Sequence, residues 1–86
     1  MPFTYILYSE KLNKYYIGAC TDVEKRLFEH NSALSKFTSR GIPWKLMYRE
    51  FFEPFNEALQ REREIKKKKS RKYIEYIIAT KLWFLF

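Results

Sequence analysis

The chain has 86 residues, a formal net charge of +7 and an aromatic content of 20%. That length predicts one small domain, residues 1–86, in which large rings fill much of the core. The single cysteine, Cys20, excludes an internal disulfide or a cysteine zinc cluster, and we expect a reducing, cytoplasmic compartment. No apolar run approaches the roughly 20 residues of a membrane helix, and no signal-peptide pattern opens the chain, so we expect no membrane partner.

Two segments near the start are typical of a β-hairpin. Residues 3–8 and 14–19 are rich in aromatic and β-branched side chains, and a polar turn separates them. If Tyr5 lies opposite Tyr16, the two-residue period of a strand places both phenols on one face, with an isoleucine from each strand on the other. The hairpin would then bring two tyrosine hydroxyls together.

A helix is predicted directly after the hairpin. Thr21 and Glu24 have the spacing of a capping box, with Thr21 as N-cap, and the helix is expected to end near Ser32. His30 falls on the apolar stripe of this helix, and Arg26 lies about 40° to its side. The sequence therefore predicts an inward-facing histidine bordered by an arginine.

The rest of the chain predicts one strand and two helices. Residues 39–43 read as a turn, and Trp44 to Phe52 alternates as a third strand. Pro54 begins a second helix, and Ser70 caps a third. The apolar C-terminal tail, residues 81–86, is expected to pack on the core, the alternative being an exposed surface for a protein partner or a homodimer.

Glu62 is the anomaly of the second helix. It shares the predicted core-facing stripe with four apolar residues: Phe55, Ala58, Leu59 and Ile65. Burying a carboxylate costs several kcal/mol unless it is paired or holds a cation. Glu62 could therefore pair with Arg26 or bind a metal ion.

Positive charge is concentrated in the C-terminal part of the chain. Residues 60–86 carry nine Lys or Arg against three Glu, whereas residues 1–30 carry four basic and four acidic residues. A basic patch of this kind favours polyanions, since each neutralised phosphate releases counterions. A run such as Lys66–Lys69 is, taken alone, also typical of a solvated helix face.

Together, these motifs resemble the GIY-YIG nucleases. The resemblance covers roughly residues 2–80. The chain looks like the small stand-alone GIY-YIG proteins, which are similar to the catalytic domain of homing endonucleases and to the incision domain of the excinuclease C subunit. The resemblance rests on Tyr5–Leu7, Tyr15–Gly18, Thr21–Asn31 and, in the second helix, Glu57, Ala58, Glu62, Ile65 and Lys66.

The resemblance implies an α+β fold, a small three-stranded antiparallel sheet flanked by three helices in the order β-β-α-β-α-α. It also implies phosphodiester hydrolysis with one divalent ion, Mg²⁺ or Mn²⁺, held by Glu62. Arg26 would stabilise charge on the phosphate, Tyr5 or Tyr16 would orient or activate water, and His30 would assist proton transfer or grip the phosphate. Gly18 is a structural part of the motif. The basic residues left to bind nucleic acid are Arg61, Lys66, Lys67, Lys68, Lys69, Arg71 and Lys72.

Three hypotheses follow. The first is an endonuclease of low sequence specificity that acts on DNA in repair or recombination, with RNA left open as a substrate. The second is a nucleic-acid-binding module with the same fold and little catalysis, and the third is a scaffold whose tail binds another protein. Each site residue also has an ordinary interpretation: core packing for Tyr5, Tyr16 and His30, a strand end or a close backbone approach for Gly18, and a surface ion pair for Arg26.

Overall fold

Three strands form one antiparallel sheet in the computed structural model of the chain, which describes residues 1–32 and 36–84, without the side chains at 37 and 81–84. The strands are β1 (Phe3–Ser9), β2 (Lys14–Cys20) and β3 (Trp44–Phe51). Their spatial order is β2-β1-β3, so β1 is central and β2 forms one edge. The predicted sheet is confirmed.

The register of the hairpin differs from the pairing of Tyr5 with Tyr16. Tyr5 lies opposite Gly18, and Tyr16 lies opposite Leu7. The turn sets this register: Asn13 adopts a left-handed backbone with φ 53°, and Ser9 pairs with Lys14 across the loop. Because the difference is two residues, both phenols still lie on the same face of the sheet.

Four helices complete the part of the fold that the structure describes: α1 (Val23–Asn31), α2 (Lys36–Ser39), α3 (Phe55–Lys68) and α4 (Arg71–Phe84). The order of the strands and long helices is as predicted, whereas the single turn α2 was missed. Four residues are too few to show helical periodicity. The prediction for the tail, residues 81–86, falls outside the described side chains. No helix within residues 1–32 and 36–84 is long and apolar enough to cross a membrane.

Two apolar clusters cover the two faces of the sheet. One joins Ile6 and Ile17 to Ile65 of α3 and to α4. The other joins Tyr5 to Val23 of α1 and includes Tyr16 at its margin. We call these the α3 face and the α1 face.

The N-cap of α1 is Asp22, so the prediction of Thr21 is wrong. Asp22 has an extended backbone, and its Oδ1 accepts a hydrogen bond from the Lys25 amide at 3.1 Å. The helix begins one residue later than predicted, which moves Glu24 out of the capping position. Its carboxylate instead pairs with Arg49 at 3.0 Å. The predicted cap of α4 is confirmed, since Ser70 Oγ accepts from the Tyr73 amide.

The core-facing stripe predicted for α3 is buried in the middle of the helix but not at its start. Ala58 and Ile65 are fully buried against the sheet. Phe55 is 37% exposed, because it lies in the first turn of α3, at the rim of the sheet. It therefore lines a surface groove rather than the core.

Arg61 lies off the predicted core-facing stripe of α3, yet its side chain is drawn into a network of polar contacts. Its side chain is only 23% exposed and lies 3.4 Å from the carboxylates of Glu50 and Glu64. It also donates to the Tyr73 hydroxyl at 3.3 Å. The reason is α4, which packs beside α3 and covers a face of that helix that periodicity alone leaves in solvent.

Candidate active site

Gly18 makes room for a tyrosine ring on the neighbouring strand. A Cβ atom on Gly18 would lie 2.5 Å from Tyr5 Oη and 2.6 Å from Tyr5 Cζ. The φ of Gly18 is not positive, so backbone conformation does not require glycine here. Of the two ordinary interpretations, the close approach of another group is the one the structure shows.

Tyr5, His30 and Arg26 form a hydrogen-bonded cluster on the α1 face. Tyr5 Oη lies 3.3 Å from His30 Nε2, and both side chains are buried, at 1% and 4% exposure. The Arg26 guanidinium lies beside the Tyr5 hydroxyl, and its interaction with that group lowers the pKa of the phenol and raises that of the guanidinium. That oxygen can accept from Arg26 while its proton is donated to His30 Nε2. The four-residue spacing on α1 thus brings a cation and an imidazole to one phenol.

Tyr16 covers this cluster from the edge strand. Its ring centroid lies 4.6 Å from that of His30 and 6.4 Å from that of Tyr5. Tyr16 is only half-buried. Its hydroxyl has no hydrogen-bonding partner within the part of the chain that the structure describes. Tyr16 is therefore the phenol of the cluster that a bound molecule can reach.

Tyr5 and His30, the two buried members of the cluster, differ in how burial shifts their pKa values. Burial raises the pKa of Tyr5 to about 12, although Arg26 opposes part of the rise. Burial, and then the charge of Arg26, lowers the pKa of His30. His30 Nδ1 is buried and lacks a partner among the described residues, which also disfavours an imidazolium because two N–H groups would need acceptors. At neutral pH Tyr5 is therefore protonated and His30 is neutral.

The sole histidine gives a direct test of this cluster. Its imidazole resonance in an NMR titration should report a pKa below the usual value of about 6.5, and Arg26→Gln should raise that pKa by removing a nearby positive charge. A folded pKa below the unfolded one means that stability is lost as pH falls through about 6.5. Arg63→Gln, on the exposed surface of α3, is the control and should leave the titration unchanged. A wild-type pKa of 6.5 or above would contradict the prediction.

Arg26 projects from α1 into a groove beside the end of β2. The groove measures about 370 Å³ and is lined by Cys20 and Asp22, by Lys25 and Glu29 of α1, and by Phe55 of α3 among others. We call it the Arg26 groove. The Arg26 side chain is 44% exposed and lies 3.3 Å from Glu29 Oε1, so the ordinary ion pair considered from the sequence is also present. Lys25 and Phe55 carry no motif that would have identified them in advance.

Glu62 lies on the other face of the sheet. Its side chain is 19% exposed and accepts from Lys66 Nζ at 2.6 Å. Within residues 1–32 and 36–84 it makes no ion pair with Arg26, which removes that alternative. Phe55 lies two helical turns before Glu62 on the same stripe and lines the Arg26 groove. Since β2 is an edge strand, the two faces meet beside it.

The metal-ligating side chains that are present suit only one kind of metal site, in which the protein supplies few of the ligands. No group of three or more His, Cys, Asp or Glu in the described residues could hold one. Magnesium is often bound by one or two carboxylates while substrate phosphates and waters complete its shell. Glu62, a largely shielded carboxylate beside a basic surface, suits such a site, whereas a site closed by protein ligands alone does not fit.

The basic residues predicted to bind nucleic acid lie in different surroundings. Lys66, Lys69 and Arg71 line a groove beside Ile17 of β2, which we call the α4 groove. Arg61 belongs to the internal network described above. Lys68 lies over the ring of Tyr73, at 5.5 Å. The two remaining members, Lys67 and Lys72, are exposed and line none of the grooves named here.

Several known proteins are similar to the chain. The UPF0213 protein SSP2268 of Staphylococcus saprophyticus is 40% identical over 63 residues, which is 72% of this chain and 77% of the relative. The UPF0213 protein of Streptococcus pneumoniae is 39% identical over 64 residues, 73% of this chain and 65% of the relative. The solution structure of the UPF0213 protein BH0048 from Bacillus halodurans is similar with a TM-score of 0.59 and 31% identity, covering 94% of this chain and 86% of that one.

A family model describes the same region. The GIY-YIG catalytic domain matches residues 1–74, which include both strands of the hairpin, α1 and α3. Tyr5, Tyr16, Gly18, Arg26, His30 and Glu62 all fall within this match. The chain therefore belongs to the GIY-YIG family, a family of nuclease domains.

Proposed function

We propose that this protein is a metal-dependent endonuclease that hydrolyses phosphodiester bonds in DNA with low sequence specificity, in repair or recombination. The observation that carries the proposal is the cluster of buried Tyr5 and His30 with the partly exposed Arg26, which lies beside a tyrosine, Tyr16, whose hydroxyl has no partner in the described structure. Family membership supports nuclease chemistry in general. The α4 groove is lined by basic side chains, Lys66, Lys69 and Arg71 among them, and by no acidic residue of the described chain, which supports a polyanionic substrate.

Arg26 is the residue proposed to contact the scissile phosphate. Its guanidinium is held on one side by Tyr5 and on the other by Glu29, while nearly half of the side chain remains exposed. A positioned cation lowers a barrier most where negative charge grows in the transition state. Arg26 can therefore stabilise the pentavalent phosphorus without a costly reorganisation.

The two tyrosines have different proposed roles. Tyr16 reaches the surface, so it is the phenol that orients the attacking water. Tyr5 is sealed from solvent with its pKa raised to about 12, so it is a positioning residue that holds Arg26 and His30 in place. His30 is neutral at pH 7 and is the member able to take up a proton, through Tyr5 or after a small opening of the Tyr16 ring.

Glu62 is proposed to hold one Mg²⁺ or Mn²⁺ ion together with the substrate phosphate. The ion would supply positive charge at the phosphate and lower the pKa of a bound water. To bind the metal, the Glu62 carboxylate must give up its ion pair with Lys66. The Lys66 side chain is exposed and can then turn toward the DNA. Lys66, Lys69 and Arg71 of the α4 groove are the proposed phosphate contacts from the earlier basic set.

The Glu62–Lys66 pair also favours the second candidate function, a DNA-binding module without catalysis. At 2.6 Å the lysine neutralises the carboxylate that would bind the ion. In that case the basic surface would be retained and the metal site would not form. A cleavage assay separates the two functions.

The proposed function predicts metal-dependent nicking. We expect supercoiled plasmid and branched DNA to be cut by the purified protein in Mg²⁺ or Mn²⁺, and neither to be cut in EDTA. Binding should persist in EDTA and weaken as salt rises. Salt-sensitive binding without cleavage in either metal would refute the nuclease and support the binding module.

A further inference from the structure

A third groove lies on the α1 face, at the opposite end of β2 from the Arg26 groove. It measures about 670 Å³ and is formed by β2, the turn before it, α2 and the start of β3. Tyr16 lines it, so the hydroxyl that has no partner in the described structure faces this space or its rim. We call it the α2 groove. None of its charged residues belongs to the motif or to the lysine run.

Three basic side chains line the α2 groove: Lys14, Lys36 and Arg40. All three are exposed, and no acidic residue of the described chain lines the groove. In the described residues none of the three makes an ion pair. By contrast, the cations of the Arg26 and α4 grooves include Arg26, Lys66 and Arg71, each of which pairs with a carboxylate. The α2 groove therefore holds uncompensated positive charge.

The aromatic rings of this groove do not offer a stacking platform. Trp44 is only 6% exposed, and its Nε1 donates to the Thr38 carbonyl at 2.7 Å. Tyr16 is half-buried, with its ring held edge-on against His30. Tyr15, the third ring of the groove, packs against Tyr8 at 4.9 Å and has the Arg71 guanidinium over it at 5.2 Å. Single-stranded nucleic acid is usually bound by bases stacked on open rings. Because the faces of these rings are covered, the cations around them are instead suited to the phosphates of a duplex.

Lys14 connects the two faces of the sheet. It lines both the α2 groove and the α4 groove, where Lys66 and Lys69 lie. It lies at the first position of β2, the edge strand, so no further strand stands between the faces. The basic residues thus form a band across this edge, with Tyr16 on it.

We infer that Lys14, Lys36 and Arg40 bind the phosphate backbone of duplex DNA, so that the duplex crosses the β2 edge and is gripped from both faces of the sheet. The inference rests on the proposed function for its substrate class. It adds a second, separate set of contacts, contributed by β2, by the short helix α2 and by the residue that follows α2. These contacts would position the DNA without reading its sequence.

Binding in EDTA tests the inference independently of cleavage. Fluorescence anisotropy with a short labelled duplex would compare the wild type with the Lys14→Ala, Lys36→Ala, Arg40→Ala triple variant. The slope of log K against log salt should become shallower by about three, since each lost phosphate contact removes about one unit. At about 0.15 M salt the affinity should fall on the order of a hundredfold. All three residues are exposed, so the melting temperature should stay within about 2 °C.

The matched control removes the same charge elsewhere. Arg63, Lys67 and Lys72 are exposed, line none of the three grooves and make no ion pair in the described structure. Their triple alanine variant should keep a steeper salt slope and bind more tightly than the first variant. Equal losses in both variants would mean that net charge alone drives binding and would overturn the inference. A wild-type preference for single-stranded over duplex DNA would also overturn it. Failure of cleavage, with these binding results intact, would reject the nuclease but not the duplex-binding edge.

Discussion

Glu62→Ala should reduce cleavage at least on the order of a hundredfold while leaving DNA binding in EDTA intact or tighter. The loss follows because Glu62 is the proposed metal ligand and no cluster of three ligand-type residues in the described chain could replace it. Binding is retained because the variant removes a negative charge beside Lys66. Plasmid nicking in Mg²⁺ and anisotropy in EDTA measure the two effects on the same preparation.

Two variants show whether Glu62 acts through the metal or through its ion pair. Glu57→Ala removes an exposed carboxylate from the same helix and should leave cleavage unchanged. Lys66→Ala breaks the pair but keeps the carboxylate, so it should weaken DNA binding while preserving metal-dependent cleavage at saturating DNA. If Lys66→Ala and Glu62→Ala lose cleavage and melting temperature alike, Glu62 serves to hold α3 in place, and the metal role is wrong.

Much of the fold could be predicted because its elements are encoded locally. The alternating segments of the hairpin, the stripe of α1 and the cap at Ser70 each depend on neighbours in sequence. The inward course of Arg61 could not be predicted, because distant elements intervene. Arg61 is drawn inward by Tyr73 of α4 and Glu50 of β3, and no sequence pattern within α3 predicts either contact.

The same division applies to the candidate site. Arg26 and His30 come together because they lie four residues apart on one helix, which periodicity predicts. The environment of Tyr5 could not be predicted, because its pKa depends on burial by residues from separate elements. The cations of the α2 groove were missed for a related reason. Lys14, Lys36 and Arg40 come from separate positions with no shared motif, and only the folded chain places them around one space.

Gly18→Ala adds one methyl group to the hairpin, and we expect this addition to destabilise the protein strongly. The new Cβ would meet the Tyr5 ring at 2.5–2.6 Å, and that ring is fixed by burial and by its contacts with Arg26 and His30. Overpacking of this kind costs about 1–3 kcal/mol, which for a domain of this size lowers the melting temperature by roughly 4–8 °C per kcal/mol. Cleavage should fall as well, since a displaced Tyr5 no longer orients Arg26.

A double-mutant cycle distinguishes this contact from a general intolerance of alanine at Gly18. Tyr5→Leu removes the Oη and Cζ atoms that the Cβ would strike, so Gly18→Ala should cost much less in the Tyr5→Leu background. We expect a coupling of at least about 1 kcal/mol by thermal or urea unfolding. Activity should stay low in both members of the cycle that carry Tyr5→Leu, because this substitution removes the link between Arg26 and His30. Equal costs of Gly18→Ala in both backgrounds would mean that the glycine serves the strand backbone rather than the Tyr5 ring.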